Sequence, residues 1–193
     1  MKSELAGGAD FARMIEELRN LQDRIAAARP PAEVIAATAS SLAELAARLA
    51  PHAVPEAERI CGRRWDLVGR GQAFVPPIAI DHSDSQQRRG RLTFSPTHLG
   101  AGGVVHGGVI PLVFVEMLGL FVNSADRPVS RLAYLNVDFR APVLVGSETH
   151  IEARLLRTEG RKIFIAGALS DGQCELAAAE ALFVVPRSVQ EPV

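Results

Sequence analysis

The sequence predicts an α+β fold in which a curved antiparallel sheet wraps around one long central helix, with a helical hairpin placed before it. Three observations predict this fold. Apolar side chains recur at helical spacing through the first 50 residues, and segments of strand-like composition fill the chain from about residue 71. Between the second and third strand lies a helix, residues 107–124, that is apolar on every side and must be covered all round.

Composition excludes several classes of protein. The 193 residues are 48% hydrophobic and 22% charged, which are ordinary values for a globular chain. A net charge of −1 gives no electrostatic reason to expect nucleic acid or an anionic membrane. The longest apolar stretch, residues 109–122, is too short to span a bilayer. Cys61 and Cys174 lack the spacing of a disulfide framework or a zinc site. We expect a cytoplasmic protein with no metal, no nucleic-acid partner and no membrane segment.

Residues 1–50 are predicted to form two helices. Pro30-Pro31 ends the first helix, and Pro31 can open the second because a first-turn proline loses no hydrogen bond. We interpret the pair as a helical hairpin that lies on a domain or on a neighbouring subunit. The apolar stripes are Phe11, Met14, Ile15, Leu18, Leu21 and Ile25 in the first helix, and Ile35, Thr38, Leu42, Leu45 and Leu49 in the second.

Residues 51–70 are predicted to be a connector. Within it, Arg63 and Arg64 stand beside the single tryptophan, Trp65. We interpret this cluster as a solvated basic face next to an anchoring aromatic residue. The alternative is a contact with a phosphate-bearing ligand.

A second domain is predicted for residues 71–186, followed by a tail at 187–193. The tight-turn dipeptides Glu159-Gly160 and Asp171-Gly172 join antiparallel neighbours, so the last four strands are expected to form a meander. In the first of these four strands, residues 130–140, simple alternation of side chains puts Leu132 and Leu135 on opposite faces. The predicted strands cover residues 72–81, 88–95, 130–140, 147–158, 161–170 and 174–185.

Two glycines, Gly107 and Gly108, open the long helix directly after His106. A helix N-terminus presents unpaired N–H groups and the positive end of the macrodipole, and glycine lets another group approach them closely. Aimed at a thioester carbonyl, these N–H groups would stabilise the oxyanion that develops on attack. Alternatively, the glycines only permit tight packing. His106 is expected to position groups by hydrogen bonding, since no partner ligands for a metal lie at suitable spacing.

Five segments of the second domain carry a family pattern. They are Phe94-Ser-Pro-Thr-His-Leu-Gly, Val105-His-Gly-Gly-Val-Ile, Leu135-Asn-Val-Asp-Phe-Arg-Ala-Pro, Glu159-Gly-Arg-Lys-Ile-Phe and Ala179-Glu-Ala-Leu-Phe-Val. In this order they resemble the hotdog-fold acyl-CoA thioesterase superfamily, and more narrowly its phenylacetate-pathway (PaaI-like) branch. The resemblance implies a homodimer or larger homo-oligomer, an acyl-CoA or acyl-carrier substrate, and no cofactor apart from the coenzyme A of the substrate.

Three positions depart from the pattern of that family. The resemblance implies an acidic residue nine positions after the histidine, a serine or threonine in the following strand and, in some members, an asparagine six positions before the histidine. This chain has Val115, Leu132 and Gly100 there, so the usual catalytic acid is replaced. Glu116 is the only ionisable residue of the apolar helix and is a candidate substitute base. Its alternative role is a contact in a subunit interface.

Three basic residues, Arg140, Arg161 and Lys162, stand at predicted strand ends or turns. The resemblance implies that such groups meet the nucleotide and phosphates of coenzyme A, for which the guanidinium fork is well suited. Ordinary solvated turn charge is the alternative for each of them.

The function predicted first is hydrolysis of an acyl-CoA or carrier-bound thioester, carried out by His106, Gly107, Gly108 and Glu116. The second hypothesis is a catalytically impaired hotdog protein that binds acyl-CoA without hydrolysing it. The third is a hotdog dehydratase or hydratase. The dehydratase pattern requires a histidine fourteen residues before the helix acid, where this chain has Gly102.

Overall fold

The structure is a computed structural model that describes residues 7–124 and 127–187. The chain divides into two compact units, with the boundary between Gln72 and Ala73. The first unit contains α1 (Gly8–Ala27) and α2 (Ala32–Leu49), and the second contains α3 (Val109–Val122). The strands of the second unit are β1 (Ala79–Ser83), β2 (Gln87–Thr93), β3 (Arg131–Phe139), β4 (Glu148–Glu159), β5 (Lys162–Ser170) and β6 (Glu175–Val184). The predicted α+β fold is confirmed.

A buried arginine, Arg64, holds the connector of the first unit in place. Its guanidinium donates to both carboxylate oxygens of Asp66 at 2.8 Å and to the carbonyl oxygen of Gly8 at 3.0 Å. The hydrogen bond with Arg64 lowers the pKa of the Asp66 carboxyl. Trp65, in contrast, is exposed, with the guanidinium of Arg70 over its ring. The interpretation of a solvated basic face beside an anchoring tryptophan is therefore wrong for this pair, because the arginine is buried and the aromatic ring is not.

The strands form one antiparallel sheet in the order β1-β2-β4-β5-β6-β3. The β4–β5 and β5–β6 turns contain Gly160 and Gly172, whose φ angles of 56° and 87° favour glycine. The predicted meander is correct for β4, β5 and β6 but wrong for β3, which pairs with β6 rather than β4. The reason is that α3 lies between β2 and β3 in the chain and packs across the sheet, so β3 begins at the far edge.

The first strand begins later than predicted. It starts at Ala79 rather than at residue 72. Pro76 and Pro77 precede it, and proline has no N–H to donate to a strand ladder. The strand can therefore form only after these two residues.

A bulge in β3 changes which of its side chains face the core. The register with β6 shifts between Leu132 and Tyr134. A bulge inserts one unpaired residue and exchanges the two faces of a strand. As a result, Leu132, Leu135 and Val137 all pack against the core, and the simple alternation that separated Leu132 from Leu135 is wrong.

The sheet of this chain covers one side of α3. The covered side packs closely, and a Cβ atom placed on Gly167 of β5 would lie 2.8 Å from Cδ1 of Phe114. On the opposite side Leu112 and Glu116 are half-buried, and Val115 is 38% exposed. The helix therefore keeps an apolar stripe that its own sheet does not cover. The residues of α3 that are buried by this sheet and the surrounding core are Ile110, Val113, Phe114, Met117, Leu118, Phe121 and Val122.

Candidate active site

The chain enters α3 through a loop, residues 98–105, that is closed by backbone hydrogen bonds. The N–H of His106 donates to the carbonyl oxygen of His98 at 2.8 Å, and the N–H of Val105 donates to the carbonyl oxygen of Val143 at 2.8 Å. These bonds fix the start of α3 beside the segment that joins β3 to β4. The residues that follow Val105, from His106 to Gly108, are exposed to solvent.

His98 has a structural role in this loop. Its Nδ1 atom accepts a hydrogen bond from the N–H of Ser95 at 3.0 Å, and its ring lies edge-on to Phe94 with centroids 6.1 Å apart. The ring therefore anchors the beginning of the loop.

The imidazole of His106 folds back over the helix start. Its Nδ1 atom accepts a hydrogen bond from the N–H of Gly108 at 3.0 Å. A neutral ring that accepts at Nδ1 carries its proton on Nε2, where it can donate to a bound molecule. A Cβ atom on Gly108 would lie 3.2 Å from Nδ1, so glycine gives the ring the room it occupies. One of the two N–H groups assigned to an oxyanion is thus engaged by His106.

Gly107 presents the other N–H group. Among the described residues this N–H has no hydrogen-bond acceptor. A Cβ atom on Gly107 would meet no heavy atom within 4 Å, so the space beside it is open. The positive end of the α3 dipole adds to the attraction for a partially negative oxygen at this point. A carbonyl group can therefore approach Gly107 from solvent.

Position 100 lies against the same histidine. A Cβ atom on Gly100 would be 3.0 Å from Cα and 3.2 Å from the backbone nitrogen of His106. The family position that holds asparagine in some members is thus adjacent to the helix start in this structure. The chain offers no side chain there.

Glu116 and Val115 lie two turns along α3 from its start. Glu116 follows Gly107 by nine residues, which is about 13 Å along a helix axis. A glutamate side chain cannot span that distance to a carbonyl bound at Gly107 of the same chain. Val115 points away from the sheet of its own chain, on the uncovered side of α3. Within one protomer, the oxyanion donor and the candidate base are therefore not brought together.

The basic residues lie at opposite ends of the sheet. The N–H of Arg140 donates to the carbonyl oxygen of Leu176, and Lys162 pairs with Val184. Eight residues of β6 separate these two points, roughly 25 Å at the rise of a strand. Arg140 stands at the end where α3 begins, whereas Arg161 and Lys162 stand at the other end.

Arg140 is also on the wrong face of the sheet to reach Gly107. It forms an ion pair with Glu175 and lines an open cavity of about 510 Å³ whose floor includes Ala166 and Ala168. These alanines alternate with Gly167, which lies under Phe114 of α3. The structure therefore places Arg140 on the outer face, opposite α3.

The remaining candidate positions are apolar or bare. Leu132, where the family has serine or threonine, packs against the core. Gly102, where a dehydratase would have histidine, lies at the loop tip with a φ of 63° and no side chain. No group of three or more histidine, cysteine or carboxylate side chains that could hold a metal ion is found in residues 7–124 and 127–187. Nor does any helix in those ranges have the length and apolar character needed to cross a membrane.

The sequence of the second unit matches a known family. The model of the family described as Thioesterase superfamily matches residues 102–178, from the loop before α3 into β6. No curated protein matches the sequence significantly.

Solved structures resemble this one over different lengths. RHA08564, a thioesterase superfamily protein, is 25% identical, with a TM-score of 0.78 over 92% of this chain and 96% of that chain. The protein smu.793 from Streptococcus mutans UA159, bound to acetyl CoA, is 14% identical, with a TM-score of 0.53 over 56% of this chain and 88% of its own. A phenylacetic acid degradation-related protein from Ralstonia eutropha JMP134 is 22% identical, with a TM-score of 0.52 over 56% and 84%.

These similarities differ in what they include. The match to RHA08564 covers more of this chain than the second unit contains, so it extends into the helical first unit. The other two share the fold alone. The resemblance noted in the sequence is confirmed: residues 102–178 match the thioesterase superfamily model, and the unit that begins at Ala73 has the hotdog-type fold of its structural neighbours.

Proposed function

We propose that this protein hydrolyses the thioester of an acyl-CoA or of an acyl group on a carrier. The observation that carries the proposal is the exposed N–H of Gly107 at the start of a buried helix, with open space beside it. The superfamily match and a fold neighbour bound to acetyl CoA support a ligand of this class. The reaction needs no cofactor beyond the coenzyme A of its substrate.

The chemistry requires an oxyanion site and a base. Water attacks the thioester carbonyl carbon, and the charge that develops on the oxygen is stabilised by the N–H of Gly107 and the helix dipole. The carboxylate of Glu116 takes the proton of the attacking water. The carbon–sulfur bond then breaks, the thiolate is protonated, and the products are a carboxylic acid and a free thiol. The Nε2–H of His106 is available to hold the substrate. Half-buried Val109 and Leu112 offer apolar surface to the acyl chain.

A complete site then requires two chains. Gly107 and Glu116 are about 13 Å apart along one helix, too far to act on one carbonyl. If two α3 helices meet antiparallel through their uncovered sides, the middle of one helix lies beside the start of the other. The exposed Val115 is on that uncovered side and would be buried by the contact. We therefore assign the active form to a homodimer or a larger homo-oligomer.

The same two-fold symmetry determines where the β4–β5 turn, with Arg161 and Lys162, lies relative to the partner chain. β3 is an edge strand of the sheet, and antiparallel pairing of two β3 strands reverses the direction of the second sheet. Arg161 and Lys162 of one chain then lie at the end where α3 of its partner begins. We assign the phosphates of coenzyme A to this pair. Arg140, which faces the opposite side in an ion pair with Glu175, is left out of the site.

Binding without hydrolysis is the second candidate, and one observation favours it. The position that is acidic in the family is Val115, whose side chain cannot transfer a proton. A domain of this kind would hold acyl-CoA at the helix start and release it unchanged.

Turnover and binding assays on the same preparation test both candidates. Release of free thiol is followed with acyl-CoA substrates of short, long and aromatic acyl groups, and coenzyme A binding is followed by calorimetry. Reversing the charge at Arg161 and Lys162 should weaken binding several-fold, with a larger effect at low salt. Arg13→Glu with Arg24→Glu in α1 makes the same change in net charge and serves as the control. Absence of coenzyme A binding at millimolar concentration would contradict both candidates.

A further inference from the structure

The outer face of the sheet, opposite α3, is apolar along its two central strands. An antiparallel sheet that meets water on one face usually carries polar side chains there. Residues 163–169 of β5 include no charged residue, so this strand is apolar on both faces. A strand that is apolar on both faces indicates a second layer on the outer side. The outward residues of β5 and their neighbours in β6 are half-buried and are Phe164, Ala166, Ala168, Ala178 and Leu182.

Charges of opposite sign stand on the two sides of β5. Glu180 of β6 and Arg154 of β4 both pair in register with Ala166 of β5, so the three residues form one row across the sheet. The Cα atom of each charged residue is about 5 Å from that of Ala166. Among the described residues, neither charged side chain forms an ion pair or a side-chain hydrogen bond. This row is therefore acidic on the β6 side of β5 and basic on the β4 side.

The next row repeats the arrangement one strand farther out. It runs from Asp138 of β3 through Ala178 and Ala168 to Glu152 of β4 and Arg89 of β2. Arg89 and Glu152 form an ion pair at 3.2 Å, whereas the Asp138 side chain forms none in the described part of the chain. Asp138 and Arg89 thus lie at equal distances from β5, on opposite sides of it.

We propose that this outer face binds the outer face of a second copy of the chain, about a two-fold axis that runs along β5. Such an axis turns the second face over and places the β6 side of each copy on the β4 side of the other. Each Glu180 then meets Arg154 of the other copy, and each Asp138 meets Arg89. The residues on the axis pack on their own counterparts and are Phe164, Ala166 and Ala168.

Charge complementarity selects the direction of the axis. An axis across the strands would instead place β6 of one copy on β6 of the other. That strand contains no basic residue, so Glu180 would remain without a cation. The axis along β5 is the one that brings each acidic residue to a basic one, and such complementarity fixes both the partner and the register.

The size of the face also suits a second copy. It is about 24 Å wide from β2 to β3 and about 30 Å long along β5, or roughly 700 Å². A stable interface takes about 800 Å² from each partner. The contact uses neither α3 nor the edge of β3, so it adds to the dimer proposed for the active site and forms whether or not the protein hydrolyses thioesters.

A charge placed on the axis tests the contact in the full-length protein. Ala168→Glu puts a carboxylate of each copy opposite that of the other, beside Glu152 in its own row. Because Ala168 faces away from α3, the fold should be kept, which circular dichroism verifies. Sedimentation over a range of concentrations should show smaller assemblies, with a dissociation constant raised on the order of 100-fold. Ala57→Glu adds the same charge at an exposed residue of the connector and should change nothing.

Equal sedimentation of Ala168→Glu, Ala57→Glu and the parent would overturn the proposal. If the melting temperature of Ala168→Glu falls while its assembly is unchanged, another part of the same chain covers the face, and a second copy does not.

Exchange of the two charges tests the direction. Glu180→Arg alone and Arg154→Glu alone should each weaken association about 10-fold or more at low salt, because both symmetric pairs become repulsive. The double variant carries both changes, so its pairs are attractive again and its association should return to within about 3-fold of the parent. Glu17→Arg and Arg24→Glu in α1 make the same changes in net charge and serve as controls. A double variant that associates as weakly as the single variants would overturn the proposed axis.

Discussion

The N–H of Gly108 donates to Nδ1 of His106 at 3.0 Å, and this bond separates the roles of the two glycines that follow the histidine. Gly108 is held by the imidazole, and a Cβ atom on it would press on the ring at 3.2 Å. Gly107 is left with an open N–H and open space. The oxyanion role therefore falls on Gly107, with the imidazole fixed as its neighbour.

Gly107→Ala should separate ligand approach from folding. The new methyl group meets no protein atom within 4 Å, so we expect the melting temperature to stay within about 2 °C of the parent. The methyl group lies where a carbonyl would approach, so thioester hydrolysis should fall at least about 10-fold. Calorimetric melting and thiol release measure the two effects. An unchanged rate would show that the carbonyl does not bind at Gly107.

Val115→Asp restores an acidic residue at the position where the family has one. Because general base assistance is commonly worth 10²–10⁴ in rate, we expect acyl-CoA hydrolysis to rise about 10–10³-fold. The smaller range reflects Leu132, which offers no second polar group. Val115→Asn has the same shape without the charge and should give no gain. If the aspartate variant folds, binds acyl-CoA and gains no activity, the binding candidate is favoured over hydrolysis.

Gly167→Ala tests the packing of α3 on the sheet. The added Cβ atom would lie 2.8 Å from Cδ1 and 2.9 Å from Cε1 of the Phe114 ring. Overpacking of this kind costs about 1–3 kcal/mol, and urea unfolding measures the loss. Phe114→Leu removes the ring, so Gly167→Ala should cost less stability in a Phe114→Leu background than it does in the parent. Fully additive losses would contradict the proposed contact.

The β1–β2 turn should confer a pH-dependent stability through Asp84. Its carboxylate bonds with Nε2 of His82 at 2.8 Å and accepts from the N–H groups of Gln86 and Gln87 at 2.7 and 2.8 Å. The His82 hydrogen bond, followed by the two backbone bonds, lowers the pKa of Asp84 from 3.8 to about 2. Because the pKa is lower in the folded chain than in the unfolded chain, the ionised carboxylate stabilises the folded state at pH values above about 4. This stabilisation is lost as the pH falls from about 4 through about 2.

Asp84→Asn removes this titration. Urea unfolding at several pH values should show the variant less stable than the parent at pH 7, with a difference that shrinks as the pH falls below about 4. A difference that stays constant from pH 7 to pH 3 would contradict the role assigned to the carboxylate.

Sequence patterns predict the elements of this fold better than their pairing. The apolar character of α3 and the turn dipeptides indicate the helix and the last three strands, because these signals are local. The pairing of β3 with β6 depends on where α3 delivers the chain, and the bulge between Leu132 and Tyr134 has no local signature. Both features are set by contacts between distant segments.

At the candidate site too, sequence patterns identify the residues better than their contacts and directions. The His106-Gly107-Gly108 motif identifies the helix start, but spacing alone does not show that the imidazole engages Gly108. Nor does it show that Arg140 lies on the outer face while Arg161 lies at the opposite end of the sheet. The charge of these residues is visible in the sequence, whereas their direction depends on the curvature and register of the sheet.

Subunit complementation tests the central claim most directly, namely that Gly107 of one chain and Glu116 of another act on the same thioester. Gly107→Ala and Glu116→Gln are each expected to keep about a tenth of the parent activity or less as pure proteins. After the two are dissociated and reassembled in equal amounts, half of the dimers should be mixed, and each mixed dimer contains one intact site. The account predicts recovery of about one quarter of the parent activity, the statistical share for a two-fold symmetric dimer. No recovery in a sample shown by native mass spectrometry to contain mixed dimers would contradict it.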